Sequence, residues 1–220
     1  MHPPPDPPIP SSHPKFGSDT SVLNRSEAGL ISATTAPAVL AYFDSKGYEF
    51  AADIFGAYLG NNGPDYEYII NTRYVEKVVK TRAVAGKAQE QLDFIKREAK
   101  RNADRVGVWQ EITSSWEPVR VTDDSDVTLA LGDFSVAVGS DVKVQSAEGQ
   151  PLFAEIRYRI YIYDLYDFDK SAEWSGDIEL SVKKGLNHDM RQLEEAGWAR
   201  SFKARGDTQF LGGYTWSGAI

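Results

Sequence analysis

The chain has 220 residues, a formal net charge of −8, 25% charged residues and no cysteine. That length buries a real core as one large domain or two small ones, with the composition of a soluble globular chain. The missing cysteines exclude disulfides, thiolate nucleophiles and cysteine-based zinc sites, and no apolar run of about 18 residues offers a membrane-spanning helix.

The acidic total hides a basic block: from Arg73 to Arg105, ten Lys or Arg stand against five Asp or Glu. The acidic remainder disfavours non-specific nucleic-acid binding, so no specific nucleic-acid partner is expected. The block itself reads as a solvated helix face carrying i,i+4 ion pairs.

Seven of the eleven prolines fall in residues 1–20. Proline fixes φ and removes a backbone donor, so a disordered or polyproline-like tail is expected there. Such a tail is either a linker or a proline-rich ligand for a partner domain. MHPPPDPPIP lacks the cationic-then-apolar order of a Sec signal. A secreted or cell-delivered chain is therefore expected to use another route, and otherwise to be cytoplasmic.

Residues 21–220 are expected to form a single α+β domain, with a helical layer over 36–105 packed on an antiparallel, barrel-like β-meander over 106–220. Pro37 suits the first turn of a short helix, Ala38 to Ser45. Tyr48 to Leu59 gathers Phe50, Ile54, Phe55 and Tyr58 on one face, and the glycines and asparagines after it end the helix. A short extended piece over Tyr66 to Ile70 precedes a helix capped by Asn71 or Thr72 and a long one from Ala83 to Asp104.

After Val106 the period drops to two. Strands are expected at Trp109 to Ile112, Trp116 to Val121, Val127 to Leu131, Phe134 to Val138 and Val142 to Val144, with Gly139 and Ser140 in a turn. The longest strand is Leu152 to Tyr163. Ala154, Ile156, Tyr158, Ile160 and Ile162 share its inner face, and Tyr161 and Tyr163 its outer one. A strand at Ile178 to Val182, a helix from Asn187 or Asp189 to Ala196, and a closing strand around Phe210, Leu211 and Tyr214 complete the chain.

His2 and His13 fall in the tail, which leaves His188 as the one imidazole expected in the folded part. That excludes multi-histidine metal sites and restricts a Ser-His-Asp arrangement to His188. The strongest remaining chemistry is at the end of the long strand, where Asp164, Tyr166, Asp167 and Asp169 follow one another. Three carboxylates brought together by a turn can hold a hard divalent cation such as Mg²⁺, or one of them can serve as a general base. The competing reading makes them turn formers and caps, with Tyr and Phe packing a barrel rim.

Asp164-Leu165-Tyr166-Asp167-Phe168 resembles the Asp-x-Tyr-Asp-Phe signature of colicin-M-type bacteriocins, which hydrolyse the peptidoglycan precursor lipid II. ALGDFSVAVGSDVKV, IRYRIYIYDLYDFD and DMRQLEEAGWARSFKARGD also resemble segments of toxin-like C-terminal domains of actinobacterial proteins. The resemblance implies an antimicrobial, Mg²⁺-supported hydrolase acting on a lipid-linked pyrophosphate at a membrane surface, opposed by an immunity protein. Asp164, Tyr166 and Asp167 match its motif. Its later His-Arg pair is replaced by Glu173 and Trp174, so His188 as acid or base and Arg191 as phosphate clamp are the expected substitutes. The alternative is a non-enzymatic binding or assembly module, with Tyr161, Tyr163 and Trp174 carrying recognition.

Overall fold

The computed structural model describes residues 1–102, 106–146, 150–168 and 186–220. Among them the order is α1 (Val22–Lys46), α2 (Glu49–Leu59), β1 (Glu67–Ile69), α3 (Thr72–Lys80), α4 (Arg82–Arg101), β2 (Trp109–Thr113), β3 (Glu117–Arg120), α5 (Ser125–Leu131), β4 (Asp133–Gln145), β5 (Phe153–Tyr166), α6 (Leu186–Glu195), β6 (Phe202–Asp207) and β7 (Thr215–Ala219). The expected strand at Ile178 to Val182 lies outside the described residues.

The strands form one mixed sheet in the order β1-β6-β5-β4-β2, with β3 also on β4 and β7 also on β5. Its spine is the antiparallel pair β4–β5, in register from Ser135 opposite Tyr163 to Gln145 opposite Phe153. Each spine strand is longer than its outer neighbours, so two short strands share each flank: β2 and β3 on β4, β6 and β7 on β5. The expected barrel does not close. β1 joins β6 in parallel at one edge, which also corrects the expectation of a purely antiparallel sheet.

The inner face of β5 carries Ala154, Ile156, Ile160 and Ile162, all buried, as the alternation requires. Helices α2 and α4 cover this face, with Phe50, Phe55, Tyr58, Leu92 and Ile95 in the same core as Val136, Val138 and Ile156. The basic block forms α3 and α4, where Lys80–Glu76, Lys87–Glu90, Lys96–Asp93 and Arg101–Glu98 pair along exposed faces.

Four elements differ from expectation. Helix α1 begins at Val22, with Ser21 Oγ accepting from Asn24 N–H, and Pro37 lies inside it. Val127 to Leu131 is helical because Asp124 caps Val127 N–H, Gly132 ends the turn at φ 59°, and Val127, Ala130 and Leu131 meet the core at helical spacing. Buried Asp126 in that helix accepts from Phe50 N–H and Ala51 N–H of α2 and from Lys77 Nζ. Gly139 and Ser140 make no turn, so β4 runs unbroken through them. The fourth difference is the C-terminal segment, where Phe210 and Leu211 sit in a turn between β6 and β7.

The proline tail is not loose. Residues 1–20 lie as an irregular strap along the outer face of the sheet, held by side-chain contacts from Met1 to Asp19. Tyr161 and Tyr163 are buried, although both were expected to be exposed; Tyr161 Oη donates to Met1 O of the strap, and the Tyr163 ring lies under Arg205, which holds Asp6.

Candidate active site

Strand β5 ends at Tyr166, and the next residues diverge by side. Tyr166 and Phe168 turn into an aromatic stack with Tyr58, Phe55 and Phe202, with Tyr166 and Phe202 parallel at 5.3 Å. Tyr166 is thus a core residue and not the expected substrate-positioning group, and burial pushes its hydroxyl far above the usual tyrosine range. Asp164 shares that inward side and is enclosed; burial, then the nearby Asp167 charge, hold its carboxyl well above the usual carboxylate range.

Asp167 points the other way and meets the strap. His13 Nδ1 stands 2.8 Å from Asp167 Oδ2, and His13 Nε2 stands 3.1 Å from Ser201 Oγ. Ser201 Oγ in turn donates to Glu194 Oε1 at 2.5 Å, and Ser201 N–H donates to the same oxygen. Asp167, His13 and Ser201 therefore stand in the order of a carboxylate–imidazole–hydroxyl triad, with a second carboxylate on the hydroxyl. The hydrogen bond to Asp167 raises the pKa of His13, and burial raises that of Glu194. Glu194 is 1% exposed and its Oε2 is buried without a hydrogen-bond partner, an arrangement that favours a proton on this carboxyl.

Local sequence explains each placement. Asp167 leaves the β5 ladder on the outer side because Phe168, one residue on, is anchored in the core. Ser201 immediately precedes β6, and Arg200 N–H is tied to Tyr58 O. Glu194 closes α6, whose Met190 and Leu193 are buried and whose Met190 carbonyl accepts from Tyr58 Oη at 2.7 Å. His13 is fixed from the strap side by buried Pro14 and by Gly17 N–H donating to Glu194 O.

Beside this chain of groups lies an open cleft of about 420 Å³, lined by His13, Ser201 and Glu194 and by Tyr66, Arg200 and Lys203. The same lining carries Asp65 and Glu67, while Lys203 Nζ is paired with Asp6 at 2.8 Å and the Arg200 guanidinium lies over the Phe16 ring.

His188, the expected acid or base, is exposed on α6, and no hydrogen bond or ion pair among the described residues joins it to Asp164 or Asp167. Arg191 does not stand free as a phosphate clamp: it donates to Glu195 Oε1 at 2.7 Å and to Ser12 O at 2.8 Å, fastening the strap to α6. Asp169, Glu173 and Trp174 lie outside the described residues. Among the described residues no group of three or more His, Asp or Glu side chains is placed to hold a metal ion; Asp164 is enclosed, with burial raising its pKa, and Asp167 Oδ2 is 2.8 Å from His13 Nδ1. His13, Ser201 and Glu194 were missed in the sequence. The available signal was weak: two of three histidines lie in the proline segment, where an imidazole is easily dismissed.

No protein-family model matches the chain, no curated protein matches it, and no solved structure matches its fold.

Proposed function

We propose that the chain is a hydrolase in which Ser201 is the nucleophile, His13 its general base and acid, and Asp167 the group that orients the imidazole. The observation that carries this is the continuous chain Asp167–His13–Ser201–Glu194, of which His13, Ser201 and Glu194 line the cleft. With His13 neutral, Ser201 Oγ attacks the electrophilic centre and its proton passes to Nε2. The imidazolium, stabilised by Asp167, returns that proton to the leaving oxygen, and water then releases the acyl or phosphoryl group from Ser201 by the reverse transfers. In the resting geometry Ser201 Oγ donates to Glu194 Oε1, so the hydroxyl proton swings to His13 Nε2, 3.1 Å away, for the attack.

Arg200 on the cleft wall suits an anionic ester, and Lys203 joins it when Asp6 leaves its ammonium. The Asp164 to Phe168 motif suggests the substrate to test first, a pyrophosphate-linked lipid of the cell wall, which makes the chain a toxin-like effector with an immunity partner. The test is turnover of that lipid, of bis(p-nitrophenyl) phosphate and of p-nitrophenyl acetate by the whole chain and by Ser201→Ala and His13→Ala. Hydrolysis by the wild type that falls at least about a thousandfold in both variants is expected. Turnover that survives both substitutions, or no turnover of any of the three, sinks the reading.

The binding-module alternative is favoured by a separate observation, the aromatic face of the sheet on which the strap lies.

A further inference from the structure

We propose that the outer face of the sheet is a recognition groove for an extended proline-rich peptide carrying one carboxylate, supplied by a partner protein, and that residues 1–8 fill it in cis. Burial along the strap recurs every third residue: Met1, Pro4 and Pro7 are half-buried, whereas His2, Pro3, Pro5, Asp6 and Pro8 are exposed. That is the period of a polyproline II helix lying on a surface. Prolines offer carbonyls and no N–H groups, so a surface that reads them must supply donors. This face does so with side chains: Trp116 Nε1 donates to Pro5 O at 3.0 Å, Thr113 Oγ1 to His2 O at 3.2 Å and Tyr161 Oη to Met1 O at 3.2 Å.

The carboxylate has its own seat. Arg205 grips Asp6 through two nitrogens at 2.8 and 2.6 Å, and Lys203 Nζ adds a third contact at 2.8 Å. Arg205 itself lies over the Tyr163 ring, which packs 5.6 Å from Trp116. The floor is Gly139, where a Cβ would stand 2.6 Å from His2 O and 2.9 Å from the Tyr161 ring. Aromatic donors, a cationic socket and a side-chain-free floor together read one ligand chemistry.

A partner peptide is the better competitor for this site than a second copy. The cis segment acts at the effective concentration of a tethered ligand, and an identical segment from another copy forms no new contact to offset that advantage. A partner peptide displaces the cis segment by adding contacts beyond those of residues 1–8, which an identical segment cannot do. This inference shares Lys203 with the cleft of the hydrolase reading, but none of its contacts involves Ser201, His13 or Asp167, and its readout is peptide binding and not turnover.

The test uses the full chain carrying Asp6→Arg, which loosens its own strap, titrated by calorimetry with an N-acetylated peptide of the sequence of residues 1–8. Binding is expected, at least about tenfold tighter than to the wild type, whose strap competes. An Asp-to-Asn version of the peptide is expected to bind about tenfold more weakly, and adding Trp116→Ala to the receptor is expected to abolish the signal. The proposal is overturned if a folded Asp6→Arg chain, checked by circular dichroism, gives no heat, or if Trp116→Ala leaves affinity unchanged. It is also overturned if the wild type dimerises with concentration and exchanges straps between copies, since the groove then serves a second copy.

Discussion

His13 Nδ1 lies 2.8 Å from Asp167 Oδ2 across 154 positions of sequence. The imidazole of the candidate site therefore arrives on an N-terminal segment that holds no helix or strand before Val22. Replacing His13 by Ala removes both the base of Ser201 and a clasp of the strap, whereas His188→Ala touches neither. Hydrolysis is expected to vanish in the first variant and to stay within about twofold in the second. Equal loss in both returns the role to His188.

The sequence made the inner face of β5 plain, since strict alternation over Ala154 to Ile162 admits one orientation only. It also made α2, α3 and α4 plain, through stripes and caps. It misassigned Val127 to Leu131 because an apolar run that short fits a strand as well as a helix, and the Asp124 cap decides it. It broke β4 at Gly139 because glycine commonly marks a turn, whereas here it makes room for the strap. In the site, Asp167 was legible from its motif. Its partners were not, because His13, Glu194 and Ser201 come from three distant segments that only the fold brings together.

Strap docking is expected to depend on pH from both sides. Arg205 and Lys203 hold Asp6 down to about 2, so that anchor is complete above the ordinary aspartate value near 4 and is lost as pH falls through about 2. His13 moves the other way. Asp167 and Glu194 raise it and Arg191 opposes, so its anchoring is complete below about 6.5 and fades as pH rises through the raised value. Hydrogen exchange or limited proteolysis of residues 1–16 should show strongest protection between about pH 4 and 6.5. Turnover should instead rise with pH as His13 is deprotonated; a rate that falls over the same range argues against His13 as base.

Gly139→Ala should act on the strap and spare the sheet. Alanine is tolerated in a strand, but its methyl would collide with His2 O and the Tyr161 ring. The expected result is faster cleavage or exchange within residues 1–8, with global stability changed by less than about 1 kcal/mol. A large global loss would mean that Gly139 serves the sheet itself.

Asp126 should be a stability residue without a part in turnover. Its enclosed carboxylate satisfies two N–H groups at the start of α2 and pairs with Lys77 at 2.6 Å. Asp126→Ala leaves those donors unpaired, and a loss of about 1.5–3 kcal/mol is expected by denaturant titration. A change below about 0.5 kcal/mol would show that water replaces the carboxylate there.

Asp164 and Asp167 match the same motif but should respond with opposite signs. Asp164 is enclosed, and burial and the Asp167 charge raise its carboxyl pKa and favour the protonated form. Its folded pKa lies above the unfolded one, so the wild type loses stability as pH rises from about 4 until the folded group ionises. Asp164→Asn keeps the shape and removes that proton, so it should flatten the pH profile and stabilise the chain at neutral pH by about 0.5–2 kcal/mol. Asp167→Asn instead weakens the contact with His13, and should cost about 1 kcal/mol, mostly as local opening of the strap, while lowering turnover by several powers of ten. Denaturation curves of the two variants at pH 4 and pH 8, read beside their rates, decide the matter. If Asp164→Asn destabilises at both pH values and abolishes turnover, Asp164 works as an ionised group, and the metal-carboxylate reading of the motif regains its claim over the Ser201–His13 one.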